Sequence, residues 1–154
     1  MCIRDRAGAF SSSQTGTYQI DVLQSGISTS SLGDLIGQTQ EHAPITALDT
    51  IFGGAIDFQN DRDMYQFILE AGTTYQFDVR GSNSSHGTLW DPQAFLYNAD
   101  GALVAQDDDS GTAFDASIAY TAPTNGSYYL DVISNIGLLA QSVGTYSVET
   151  DILL

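Results

Sequence analysis

The chain of 154 residues contains no lysine, and its four arginines stand against 19 aspartates and glutamates, for a formal net charge of −15. Nucleic-acid binding relies on clustered Lys and Arg against phosphate, so this composition excludes it, and it disfavours an anionic membrane surface for the same reason. Cys2 is the only cysteine, so no intrachain disulfide can form. An extracellular protein without disulfides needs another staple, and bound metal is one such staple. No apolar run approaches the roughly 20 residues of a membrane-spanning helix, and the N-terminus lacks the basic-then-apolar order of a signal peptide.

Catalytic groups are just as scarce. His42 and His86 are the only histidines, they stand far apart, and no His-Glu-x-x-His zinc motif is present. The absence of Lys excludes a Ser-Lys dyad, and neither a Gly-x-Ser-x-Gly elbow nor a phosphate loop occurs. Ser84-Ser85-His86 reads as a serine-rich turn. A glycosidase-type carboxylate pair is the one catalytic chemistry that composition permits, but a domain of this size is small for a sugar cleft. The expectation is a protein that is not an enzyme.

What is present is a rhythm. From Asp63 onward apolar and polar residues alternate in short runs bounded by Gly, Asn, Asp and Pro, which is the signature of half-buried strands. Asp63–Glu70 places Tyr65, Phe67 and Leu69 on one face, and Thr74–Arg80 does the same for Tyr75, Phe77 and Val79. With only Ala71, Gly72 and Thr73 between them, these two runs read as a hairpin. A second hairpin is expected from Ala94–Tyr97 and Ala102–Gln106 around Asn98-Ala-Asp-Gly101, with Gly101 supplying a positive φ. Further strands fit 51–57, 116–121, 126–133 and 144–150. Short strands separated by turn signals predict an all-β, antiparallel sandwich.

The ends of the chain read differently. Residues 1–6 hold half the arginine and the only cysteine, and read as a cloning or sequence-assembly remnant. Gly16-Thr-Tyr-Gln-Ile20 repeats the phrase Gly144-Thr-Tyr-Ser-Val148, so residues 7–23 read as the last strand of a truncated preceding tandem copy. Residues 24–45 read as a linker and acidic entry segment, with a short helical turn near 32–37, and residues 46–151 as one complete sandwich.

Several phrases fall in a recognisable order: Gly54-Ala-Ile-Asp-Phe-Gln-Asn-Asp-Arg-Asp-Met-Tyr-Gln-Phe67, Ala71-Gly-Thr-Thr-Tyr-Gln-Phe77, Asp91-Pro-Gln-Ala-Phe-Leu-Tyr-Asn-Ala-Asp-Gly101, Gln106-Asp-Asp-Asp-Ser-Gly111, Tyr120-Thr-Ala-Pro-Thr-Asn-Gly-Ser-Tyr-Tyr-Leu130 and Gly144-Thr-Tyr146. In this order they resemble the bacterial pre-peptidase C-terminal domain, as does the upstream Asp34–Glu41. The resemblance implies a jelly-roll-like β-sandwich appended to secreted enzymes, often proteases, and sometimes present in tandem. It also implies a relation in fold to the collagen-binding domains of clostridial collagenases, which bind Ca²⁺. The entry segment departs from the family pattern at Gly33 and Gln38, where acids are common.

Two acidic groups are the candidate metal ligands. Asp57, Asn60, Asp61 and Asp63 lie within seven residues at the mouth of a strand, and oxygen donors at that density suit Ca²⁺, although the loop is not an EF-hand. Asp107, Asp108 and Asp109 form a second acidic loop, and Asp91 could serve either group. Each also has a plainer reading as a solvated turn. Trp90, Tyr128 and Tyr129 are the candidate ligand surface, with one of the adjacent tyrosines pointing out if the other points in. The expected function is that of a non-catalytic accessory domain of a secreted bacterial hydrolase, stabilised by Ca²⁺ and partnered in cis by a catalytic domain. The alternatives are a structural or adhesive repeat of a large surface protein, or a module binding an extracellular polymer such as carbohydrate or collagen.

Overall fold

A computed structural model describes residues 39–135 and 143–153. The proposed end remnant, the strand at Gly16, the helical turn and most of the entry segment lie outside these residues. The described residues form eight strands: β1 (Thr50–Ile56), β2 (Arg62–Leu69), β3 (Thr74–Arg80), β4 (Pro92–Asn98), β5 (Leu103–Asp107), β6 (Ala116–Thr121), β7 (Gly126–Ser134) and β8 (Gly144–Leu153). They build two four-stranded antiparallel sheets, ordered β1-β8-β3-β6 and β2-β7-β4-β5. This is the strand order of a jelly roll, in which nearly every connection carries the chain from one sheet to the other.

The alternation read from sequence becomes the packing between the sheets. Tyr65, Phe67 and Leu69 of β2 face Tyr75, Phe77 and Val79 of β3 across the interior, and all six are buried. Phe67 meets Phe77 edge-on at 5.2 Å, and Phe52 of β1 packs on Tyr65 at 4.8 Å. Fully burying side chains of this size is worth about 2–3 kcal/mol each before conformational entropy is counted.

β2 and β3 are not a hairpin. β2 pairs with β7, while β3 pairs with β6 and β8, so the turn at residues 70–73 passes over the edge of the sandwich between sheets. Both runs turn an aromatic face inward, and in opposite sheets each face becomes the layer that covers the other. The crossing is pinned by the Glu70 N–H, which donates to the Tyr75 hydroxyl at 2.9 Å. The second hairpin forms as expected, with β4 against β5, a bulge after Leu96, and Gly101 at φ 77°. Ahead of β1, Pro44–Thr46 lies along β2, where Thr46 N–H donates to Gln66 O and Gln66 N–H to Pro44 O, covering an edge that would otherwise offer free backbone groups.

Candidate functional site

The β4–β5 hairpin decides where carboxylates meet. Ala94 is paired with Asp107, so the residues just before β4 and just after β5 emerge at the same end of the sandwich. Asp91 precedes the first, and Asp108 and Asp109 follow the second. Each of the three presents a carboxylate oxygen within 4.8 Å of the others. Asn135, one residue past β7, ties the group together: its N–H donates to Asp91 O and its side-chain amide to Asp108 Oδ2, both at 2.9 Å. The Oδ1 atoms of Asp91 and Asp108 are buried and have no hydrogen-bond partner among the described residues.

Such an arrangement resists ionisation. Burial first, then the neighbouring Asp108 and Asp109, push the Asp91 carboxyl up to about 6. Asp108 is raised as well, by burial and then by Asp109 and Asp107. Asp107 has a different task, because its Oδ2 accepts the N–H groups of Ser110 and Ser117 at 3.0 and 2.8 Å and so shapes the loop. Two oxygens sharing one Ca²⁺ at about 2.4 Å are at most about 4.8 Å apart, and an all-carboxylate, amide and carbonyl environment suits a hard cation rather than Zn²⁺. Asp91, Asp108 and Asp109 meet that condition.

The other acidic group is used otherwise. Asp61 is 1% exposed, and its two carboxylate oxygens accept the N–H groups of Asp57 at 2.7 Å and of Arg62 at 2.9 Å. Asn60 takes φ 66°, the left-handed conformation that Asn tolerates in a tight turn. Asp63 is buried on the inner face of β2, where Tyr146 of β8 donates to its Oδ2 at 2.5 Å and Tyr65 and Tyr146 share a hydrogen bond of 2.7 Å. Gly54 of β1 makes this network fit, since a Cβ there would stand 2.3–2.4 Å from both hydroxyl oxygens. Asp57 and Asn60 are exposed at the loop surface. The carboxylates of Asp57, Asp61 and Asp63 do not converge as a group of three among the described residues.

The three candidate aromatic residues also separate. Tyr128 is buried at 2% exposure, Tyr129 lies on the outer face of β7, and Trp90 is exposed and stacked against Phe114 at 5.9 Å. Strand alternation foretold the opposite sides of the tyrosine pair. The pair Arg62–Asp131 escaped sequence reading. Asp131 is fully buried on the outer face of β7, and Arg62 clamps it through Nε to Oδ1 at 3.1 Å and through Nη2 to Oδ2. Burial raises the Asp131 carboxyl even against this pairing. A signal did exist: Arg62 is one of only two arginines after residue 6. Asp115, 2% exposed, was likewise not foreseen; its Oδ1 accepts the Gly81 N–H at 2.9 Å and so fixes the loop entering from β3.

Known proteins share this fold. A structure of the pre-peptidase C-terminal domain of a collagenase from Bacillus anthracis superposes with a TM-score of 0.52 at 19% identity, covering 71% of this chain and 94% of that one. PliG, a periplasmic inhibitor of g-type lysozyme, matches from Aeromonas hydrophila with a TM-score of 0.47 at 16% identity, over 71% of this chain and 95% of that one. The Salmonella Typhimurium PliG matches with a TM-score of 0.48 at 17% identity, over 72% and 99%. No curated protein sequence matches the chain. The family model described as bacterial pre-peptidase C-terminal domain matches residues 61–134, which run from the loop before β2 to the end of β7. Residues 61–134 thus carry the match to the bacterial pre-peptidase C-terminal domain, a family of non-catalytic domains of peptidases.

Proposed function

We propose that this sandwich is a Ca²⁺-stabilised accessory domain of a secreted bacterial hydrolase, a protease first among them, joined in cis to the catalytic domain and aiding its folding, secretion or substrate targeting. The convergence of Asp91, Asp108 and Asp109 carries the calcium part of this reading. Two of these residues hold buried oxygens with no partner among the described residues, and a divalent cation would satisfy both, offsetting the burial and then the neighbouring charges that raise the Asp91 carboxyl. The family match over residues 61–134 supports the accessory role. The absence of a disulfide supports an ion as staple, since only Cys2 is available.

The test is thermal unfolding of the purified chain in chelator and in millimolar Ca²⁺. A ligand that binds only the folded state at a concentration 100-fold above its Kd adds about 2.7 kcal/mol, so the melting temperature rises by several degrees. Identical melting curves in chelator and Ca²⁺ would refute the calcium reading.

A second reading is favoured by one observation, the recurrence of the β8 phrase Gly144-Thr-Tyr-Ser-Val148 as Gly16-Thr-Tyr-Gln-Ile20. Under it the module is a repeat in a long surface protein. The parent reading frame separates the two: an adjoining protease domain supports the accessory role, and a long array with no catalytic domain supports the repeat.

A further inference from the structure

The outer face of the sheet β2-β7-β4-β5 carries a cavity of about 240 Å³ lined by Asn60, Asp61, Arg62, Phe95, Tyr97, Ile133 and Ser134. Its composition follows from register. Asp131 stands beside Phe95 across β7 and β4, Ile133 stands beside Arg62 across β7 and β2, and Tyr129 stands beside Tyr97. Neighbours of this kind touch on one face of an antiparallel sheet. The result is a hollow with Phe95 and Tyr97 as aromatic walls and the Arg62–Asp131 pair at its side.

We propose that this cavity binds one neutral sugar residue of an extracellular polysaccharide. A sugar ring offers an apolar face to aromatic walls and hydroxyls to fixed polar groups, and recognition pockets combine those two features. The volume suits one ring rather than a larger ligand. The Arg62 guanidinium is already neutralised by Asp131, Asp61 lines the same hollow, and the chain carries a net charge of −15, so an acidic ligand is repelled. An extended peptide has no ladder to join here, because β7 and β4 are interior strands whose backbone groups are already paired on both sides. The site is separate from the carboxylates of Asp91, Asp108 and Asp109, so failure of the calcium reading leaves it standing.

Affinity electrophoresis of the whole chain in native gels tests the idea, with soluble neutral polysaccharides (dextran, xylan, hydroxyethylcellulose), alginate and gelatin as the embedded polymers, each in Ca²⁺ and in chelator. At least one neutral polysaccharide should retard the chain. Tyr97→Ala and Phe95→Ala should weaken that retardation at least tenfold, while Trp90→Ala, outside the cavity, leaves it unchanged. As a check independent of variant folding, titrating the matching oligosaccharide into the ¹⁵N-labelled wild-type chain should shift amide signals clustered at Arg62, Phe95, Tyr97 and Ile133. The proposal is overturned if no neutral polysaccharide retards the chain, if only gelatin or alginate does, or if the shifts fall elsewhere.

Discussion

Two acidic regions of this domain look alike in sequence and behave oppositely in space. Asp57, Asn60, Asp61 and Asp63 are dense along the chain, yet the side chains of Asp61 and Asp63 are spent on holding it and those of Asp57 and Asn60 are exposed. Asp61 caps two backbone N–H groups, and Asp63 anchors the Tyr146 and Tyr65 hydroxyls inside the sandwich. Asp91 and Asp108 are separated by the whole β4–β5 hairpin, yet their carboxylates converge with that of Asp109 within 4.8 Å. Asp57, Asn60 and Asp61 lie in the loop between β1 and β2 and Asp63 within β2, and the Asp61 and Asp63 oxygens turn to separate partners, whereas a hairpin returns its two ends to one place. Density along the chain is therefore a poor guide to chelation, and hairpin register a better one.

The comparison can be broken most forcefully at Asp63. Asp63→Ala should cost about 3 kcal/mol in urea unfolding, because it strips the acceptor from the buried Tyr146 hydroxyl to which Tyr65 is bonded, and the response to Ca²⁺ should survive in the variant. Loss of that response instead would return the metal to the strand mouth. Next in size, Asp91→Asn should abolish the Ca²⁺-induced rise, about 2.7 kcal/mol at saturating ion, while leaving the chelated protein at least as stable as wild type. Gly54→Ala should destabilise by about 1–3 kcal/mol through overpacking against the Tyr65 and Tyr146 hydroxyls, again without touching the Ca²⁺ response.

The smallest effect is on pH dependence. With its folded-state carboxyl at about 6 against an ordinary 3.8, Asp91 keeps a proton that the unfolded chain has already released. Its contribution to stability is therefore fully present below about pH 4 and is lost as pH rises through about 6. In chelator, stability should fall more steeply between pH 5 and 7 for wild type than for Asp91→Asn, as measured by melting temperatures across that range. Parallel curves would mean that Asp91 ionises freely and that the cluster is less enclosed than its geometry implies.

Much of the fold was legible in the chain, because burial imposes a period of two. The buried faces of β2 and β3 are those the alternation marked, and Gly101 was marked by the turn it must make. The pairing of β2 with β7 was not legible: two inward-facing aromatic runs joined by a short turn fit a hairpin and a crossing equally well. The site was half legible. Asp91, Asp108 and Asp109 were among the candidates, and the Asn98-Ala-Asp-Gly101 hairpin already implied that its two ends meet. The role of Asn135 was hidden, since nothing local joins β7 to the β4–β5 hairpin.

The sequence by itself determined that this protein is an acidic, strand-rich chain that can form no intrachain disulfide, because composition and alternation act residue by residue. Only the tertiary structure decided which carboxylates share a space, which tyrosine of 128 and 129 is available, and that Arg62 reaches Asp131. Those are contacts between strands distant in the chain, and they are fixed by how two sheets must stack to bury their inner faces rather than by any local preference.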